Sequence, residues 1–382
     1  MDSTPPPPGP PASNPPPIPP PPSRPRRRPA SQSGSGWRIL AILLGVMLLG
    51  AVLVVSLLIS SLSSPGRVTT NGQWLEEVLI ENNNSSHKIA IVGVEGIISG
   101  QSLGRGGPSM VDMIKQQLRA AAADSRVKAV LLKVNSPGGE VLASDDIYRE
   151  ITQFQEETGK PVVASMGSLA ASGGYYVAAP CRFIVANDLT ITGSIGVIMQ
   201  GYNYRGLMNK IGLRPQVFKS GRFKDMLSGE RDLENLTPQE EAQLELEAQM
   251  VQDLIDETYS RFVEIVEQGR TAAFDDTDGK TRPLATDWKD YADGRIFSGR
   301  QAHQLGFVDA LGNFDIAVRH ARSLASVTDA NLVEYRPPFS LGSLFRLFGR
   351  TEATSIKLDL GVDLPALKPG HLYFITPTVL PP

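Results

Sequence analysis

VKAVLLKV (Val127–Val134), NSPGG (Asn135–Gly139), VLASDDIYREITQFQEE (Val141–Glu157) and PVVASM (Pro161–Met166) succeed one another in the sequence. The first is a short apolar run rich in β-branched residues, which reads as a buried strand. Asn, Ser, Pro and two glycines then interrupt it and turn the chain. A helix is predicted over Val141–Glu157, and the apolar run after it is a second strand. Upstream, Lys88–Ile98 (KIAIVGVEGII) reads as a strand and turn. Ser109–Ala123 reads as a helix with Met110, Met113, Ile114 and Leu118 on one face. Downstream, Phe183–Ala186 and Gln216–Phe218 read as further strands. Thr237-Pro238-Gln239-Glu240 is a capping box with proline at the first helical position, opening a helix to about Gln268. Val251, Leu254, Ile255, Thr258 and Phe262 make its apolar stripe. Phe274–Asp290 reads as an acidic surface loop, and Phe314–Ala325 as a helix. Strands alternating with helices predict an α/β domain with a largely parallel sheet.

The 382 residues suffice for one large core or two modest ones. A net charge of −3 gives no electrostatic case for a nucleic-acid partner. The single cysteine, Cys181, excludes an internal disulfide and a cysteine-built zinc site, and reads as a small core residue. No metal and no cofactor is expected. Residues 1–36 are rich in Pro, Ser and Gly and carry Arg24, Arg26, Arg27 and Arg28, so they read as a disordered tail. Ile39–Leu62 holds no charge, and about 20 apolar helical residues cross roughly 30 Å of hydrocarbon. A transmembrane helix is therefore predicted over residues 37–62. The arginine excess before it places the tail in the cytoplasm and the rest of the chain outside it. Residues 63–86 read as a polar stalk, 87–336 as the main folded domain and 337–382 as a C-terminal extension.

The chemistry is concentrated in ASMGSLAASGGYY (Ala164–Tyr176), TGSIGV (Thr192–Val197) and FKSGRFKD (Phe218–Asp225). Small residues packed before an aromatic pair let backbone approach another group closely. Ser172 stands at a turn into a short helix, where free N–H groups favour a developing anion. As a nucleophile it needs a base. None of the four histidines lies in a loop suited to that role, and a lysine is the alternative. A free lysine with pKa near 10.4 holds its proton at neutral pH. Apolar cover would have to lower that value, and Phe223, Met226 and Leu227 flank Lys224.

NSPGG, GSLAASGGYY, TGSIGV, the KSG…KD pair and DGRIFSGRQA…GFVDALG (Asp293–Gly312), in this order, resemble the signal peptide peptidase A family in its short, single-unit form. These are membrane-bound Ser–Lys peptidases with the crotonase/ClpP superfold of repeated ββα units. The resemblance covers roughly Lys88–Ala325. It implies Ser172 as nucleophile, Lys224 as general base in preference to Lys219, and Ser194 as the residue orienting the lysine. Gly138 or Gly139 and the N–H of Gly173 would form the oxyanion hole. It further implies hydrophobic peptide substrates such as remnant signal peptides, and a homo-oligomer whose nucleophile and base come from adjoining protomers. Acyl-CoA chemistry on the same superfold and a non-catalytic membrane scaffold are the rival readings.

Overall fold

The computed structural model describes residues 40, 42–53, 67–70, 73–101, 108–277, 279–338 and 372–375. The chain divides into two units, Met1–Pro65 and Gly66–Pro382. In the first, residues 42–53 form helix α1, whose apolar side chains, Met47 and Leu48 among them, are exposed. No helix among the described residues is long and apolar enough to cross a membrane. The tail over 1–36, half of the span predicted over 37–62, and most of the C-terminal extension over 337–382 lie outside the described residues.

The second unit is built on a ten-stranded sheet. Its strands in chain order are β1 (Arg67–Thr70), β2 (Gln73–Glu81), β3 (Lys88–Glu95), β4 (Val127–Ser136), β6 (Val162–Ala171), β7 (Phe183–Ala186), β8 (Ile191–Gly193), β9 (Ile296–Ser298), β10 (Ala310–Leu311) and β11 (Asn331–Arg336). Along the sheet they run β1-β2-β11-β3-β4-β6-β7-β10, with β8 beside β6 and β9 beside β8. All pairs from β11 to β10 are parallel, and β6 with β8 is too. The edge pairs β1–β2, β2–β11 and β8–β9 are antiparallel. Short β5 (Gly138–Glu140) stands apart and pairs with β12 (Tyr373–Ile375).

Helices cover both faces, which is why the central strands are mainly apolar, with Lys128 and Lys133 near the ends of β4 as exceptions. Ala90, Val92, Val130, Leu132 and Val134 face one core with α2 (Met110–Ala123), α3 (Val141–Thr158) and α4 (Gly173–Ala178). Ile89, Ile91, Ala129 and Leu131 face the other, against Ala317, Val318 and Ala321 of α8 (Phe314–Leu324). Ser109 caps α2 with a reciprocal Asp112 bond. Short helices α5 (Arg205–Lys210) and α7 (Gly299–Gln304) lie in the connections. The capping box at Thr237 opens α6, which runs from Pro238 through Asp276, past the predicted end at Gln268 and into the predicted acidic loop. Only its second half is well covered: Phe262, Ile265 and Val266 are buried, whereas Leu246, Met250 and Leu254 are exposed.

Three expectations are corrected. Gln216–Phe218 forms no strand; the chain there is irregular, and Phe218 is 94% exposed. The segment read as a stalk supplies β1 and β2, because Glu77 on β2 finds Lys88, whose Nζ lies 2.5 Å from it. Part of the C-terminal extension returns to the body as β12.

Lys88 also reaches Asp124 at 2.9 Å. Burial alone would raise the Asp124 pKa, but hydrogen bonds from Arg126 and Lys88 outweigh it and hold the group at about 2. This contribution is complete above the ordinary 3.8 and is lost as pH falls through about 2. Asp124→Asn should therefore cost about 1 kcal/mol at pH 7, after allowance for screening, and almost nothing at about pH 1, below both pKa values. Paired denaturation curves at the two pH values check this; an equal gap at both would remove the electrostatic explanation.

Candidate active site

Strand β6 ends at Ala171, and Ser172 then turns the chain into α4. The turn is abrupt: Ser172 has φ 55° and ψ −118°, in the positive-φ half that side chains avoid. Its N–H donates to Gly193 O at 2.7 Å, fixing the junction to the end of β8. The residue is 1% exposed, and its hydroxyl has no hydrogen-bond partner among the described residues. A buried hydroxyl without a partner is costly in a structural role. Glycine tolerates this backbone and alanine does not, so Ser172→Gly should be about 1 kcal/mol more stable than Ser172→Ala. Thermal unfolding of the two variants decides it; equal midpoints would mean that the turn stores no strain.

Ser194 is brought close by the same pairing. It follows β8, has φ 51°, is 4% exposed, and its N–H donates to Arg295 O at 2.7 Å. The NSPGG turn approaches from β4. Gly138 has φ +100°, and its N–H donates to the Ser136 hydroxyl at 3.1 Å. The position a Gly138 Cβ would take lies 2.7 Å from Gly173 N, so Gly138 and Gly173 adjoin each other. Gly139 is pressed against Ile98, whose carbonyl oxygen is 1.9 Å from where a Cβ would stand. Ser172, Ser194, Gly138, Gly139 and Gly173 thus cluster at the carboxyl ends of parallel strands.

Lys224 is not joined to this cluster by any hydrogen bond or ion pair among the described residues. It sits exposed in a turn after Gly221, flanked by half-buried Phe223 and Met226 and exposed Leu227. Lys219 is engaged elsewhere, 2.7 Å from Asp225. Asp225 also meets Arg231, and Arg231 pairs with Glu247 of α6 at 2.6 Å. These pairings hold the Asp225 carboxyl below its ordinary range, with the Lys219 hydrogen bond as the main cause.

Two features of the site escape sequence reading. Ser136 steadies the Gly138 N–H. Strand β12 lies across the site, and its only local signal is the apolar run Leu372–Ile375.

The family model described as "Peptidase family S49" matches residues 154–328, and that described as "Clp protease" matches 104–191. A Synechocystis protein provisionally named a protease is 41% identical over 211 residues, 55% of this chain and 68% of the relative. An Enterococcus faecium protein provisionally named signal peptide peptidase SppA is 33% identical over 285 residues, 72% of this chain and 75% of the relative. The chloroplastic serine protease SPPA of Arabidopsis thaliana is 32% identical over 270 residues, 69% of this chain and 36% of the relative. With an α/β, parallel-rich fold, an unpartnered serine at a strained strand-to-helix turn and these relatives, the chain belongs to peptidase family S49 and is a serine protease.

Proposed function

We propose that the protein is a membrane-anchored endopeptidase with a Ser172–Lys224 dyad, built on a ClpP/crotonase-like framework of repeated ββα units. Its substrates are hydrophobic peptides, remnant signal peptides among them. The observation that carries the reading is the buried, unpartnered Ser172 hydroxyl beside the Gly138–Gly173 pair. Ser172 Oγ attacks a peptide carbonyl carbon, and its proton passes to neutral Lys224 Nζ. The C–N bond breaks as Lys224 protonates the leaving amine. Water then attacks the ester, gives its proton to Lys224, and the acid leaves as the Ser172 hydroxyl is restored. Backbone N–H groups at Gly173 and at Gly138 or Gly139 hold the oxyanion, each worth about 2.7–4 kcal/mol. Ser194 orients the lysine.

The base comes from a second copy of the chain in this reading. Lys224 stands exposed in one copy, and the arm that carries it is apolar on its surface, with Leu207, Ile211, Leu213 and Phe218 all exposed. Such a surface fits burial against a like subunit. That burial would give Lys224 the dry surroundings a neutral amine requires. The engagement of Lys219 by Asp225 favours Lys224 over it. The apolar, charge-free run before residue 63 supports the anchor, with the N-terminus cytoplasmic and the peptidase domain extracytoplasmic. Ser172→Ala and Lys224→Ala should each abolish hydrolysis of a hydrophobic peptide. Near-native turnover in either variant rejects the dyad.

A further inference from the structure

Glu247 is out of place on its stretch of helix. The first half of α6 is poorly covered, with Leu246, Met250 and Leu254 exposed, yet Glu247 is 2% exposed. It is the first buried residue along α6, and Phe262 is the next. A carboxylate buried ahead of the apolar core needs partners. Arg231 grips it with both terminal nitrogens, Nη1 at 2.6 Å and Nη2 at 2.9 Å. The Gln243 amide, one turn earlier, donates to it at 2.8 Å. Burial pushes the Glu247 carboxyl up, but these hydrogen bonds outweigh it and hold the group below its ordinary range. Both partners also reach the turn that carries Lys224. Arg231 Nη2 donates at 3.0 Å to Asp225, the residue after Lys224. Gln243 donates at 3.2 Å to the carbonyl of Arg222, two residues before it. Lys219 closes the ring, donating to Asp225 at 2.7 Å and to Arg222 O at 3.3 Å. No helix or strand runs between α5 and α6 to hold this turn. Ser228 N–H donates to Asp225 O at 3.1 Å, and beyond it only Arg231 and Gln243 bond to residues 219–225 among the described residues.

We propose that Glu247, acting through Arg231 and Asp225, is a positioning residue for the base Lys224. This rests on the Ser172–Lys224 reading and adds to it the device that aims the lysine. From Glu247, α6 continues into the body at Phe262, Ile265 and Val266, and the Arg270–Asp309 pair fixes it there. The turn of Lys224 therefore moves with the folded body and not as a free loop. A base offered across a subunit boundary needs that stiffness, because proton transfer requires Nζ within hydrogen-bond reach of Ser172 Oγ. A misplacement of about 1 Å can cost about a hundredfold in rate. The planar fork of Arg231 joins two carboxylates in a fixed geometry, which the point charge of a lysine would not do. Lys219 and Arg231 balance Asp225 and Glu247, so the network adds no net charge beside an amine that must react neutral.

Steady-state kinetics of the full chain on a hydrophobic peptide test this. Glu247→Gln keeps the shape of the side chain and removes its charge. It should lower kcat about tenfold to a hundredfold and leave KM within about twofold, since the lysine aids the chemical step and not binding. Arg231→Lys should do the same, and it decides the matter if Glu247→Gln does not fold. The double variant should lose no more than the worse single one, because the two residues form one linkage. Glu264→Gln removes an exposed carboxylate from the same helix, where it pairs with Arg261, and should leave both constants unchanged. Hydrogen exchange reads the geometry without chemistry. In Glu247→Gln the amides of residues 219–228 should exchange about tenfold faster, while those of 262–270 match the wild type. A folded Glu247→Gln chain with unchanged kcat, a loss confined to KM, or unchanged exchange over 219–228 overturns the proposal. Turnover retained by Lys224→Ala would instead reject the base itself, and exchange would still decide whether Glu247 holds the turn.

Discussion

Ser172→Ala chains and Lys224→Ala chains, each inactive alone, are expected to recover about a quarter of wild-type peptide hydrolysis when co-assembled. Alone, each should lose about 10⁴–10⁶ in kcat, because nucleophile and base act as one unit and only the oxyanion donors remain. In a mixed assembly, a working site needs an intact Ser172 on one protomer and an intact Lys224 on the neighbour that serves it. With random mixing that pairing arises in about one site of four. Were the base supplied within one chain, every site in the mixture would lack one of the two groups. Steady-state assays on co-refolded chains read the outcome, and activity no higher than that of the separate variants would place the base in the same chain as the nucleophile.

Asp309→Ala should be the most damaging single replacement for stability, at about 3–5 kcal/mol and a midpoint lowered by roughly 10 °C. Arg270 on α6 and Asp309 before β10 form a pair at 2.5 Å, with both side chains fully buried. Asp309 also accepts the N–H groups of Ile184 at 2.7 Å and Arg282 at 3.1 Å, and Arg270 donates to Cys181 O at 3.0 Å. The pair therefore ties α6, β7 and the chain before β10 together. Removing the carboxylate leaves a guanidinium in the core with no counter-charge. Replacing both partners with apolar residues, as in Arg270→Met with Asp309→Leu, should recover most of the loss. Calorimetry on the single and double variants checks this, and a double variant no better than Asp309→Ala would show that the backbone bonds, not the charge, dominate.

The central strands were legible because burial on both faces forces apolar runs, as in Ala129–Leu132 and Phe183–Ala186. The caps at Ser109 and Thr237 were legible because they are local chemistry. Strand β2 was hidden by Glu76, Glu77 and Glu81, which give it a polar reading, although Glu77 finds Lys88 as a partner. The false strand at Gln216–Phe218 has β-forming residues but no neighbouring strand to satisfy its backbone. Strand β12 is three residues long and owes its conformation to β5, far away in sequence. At the site, the glycine-flanked serine announced itself because close backbone approach admits few residue types. The surroundings of Lys224 were not legible, since the apolar neighbours Phe223, Met226 and Leu227 suggest cover while the turn that carries them leaves the lysine exposed.

The 39-residue helix α6 constrains how such a protein can change over time. Glu247 anchors the Asp225 cluster near one end and Arg270 grips the body near the other, with about 35 Å of helix axis between them. Each residue inserted between those anchors would advance the outer end by about 1.5 Å and swing it by about 100°. Insertions and deletions there are tolerable only in near-whole turns, so the spoke can lengthen or shorten in steps but cannot drift.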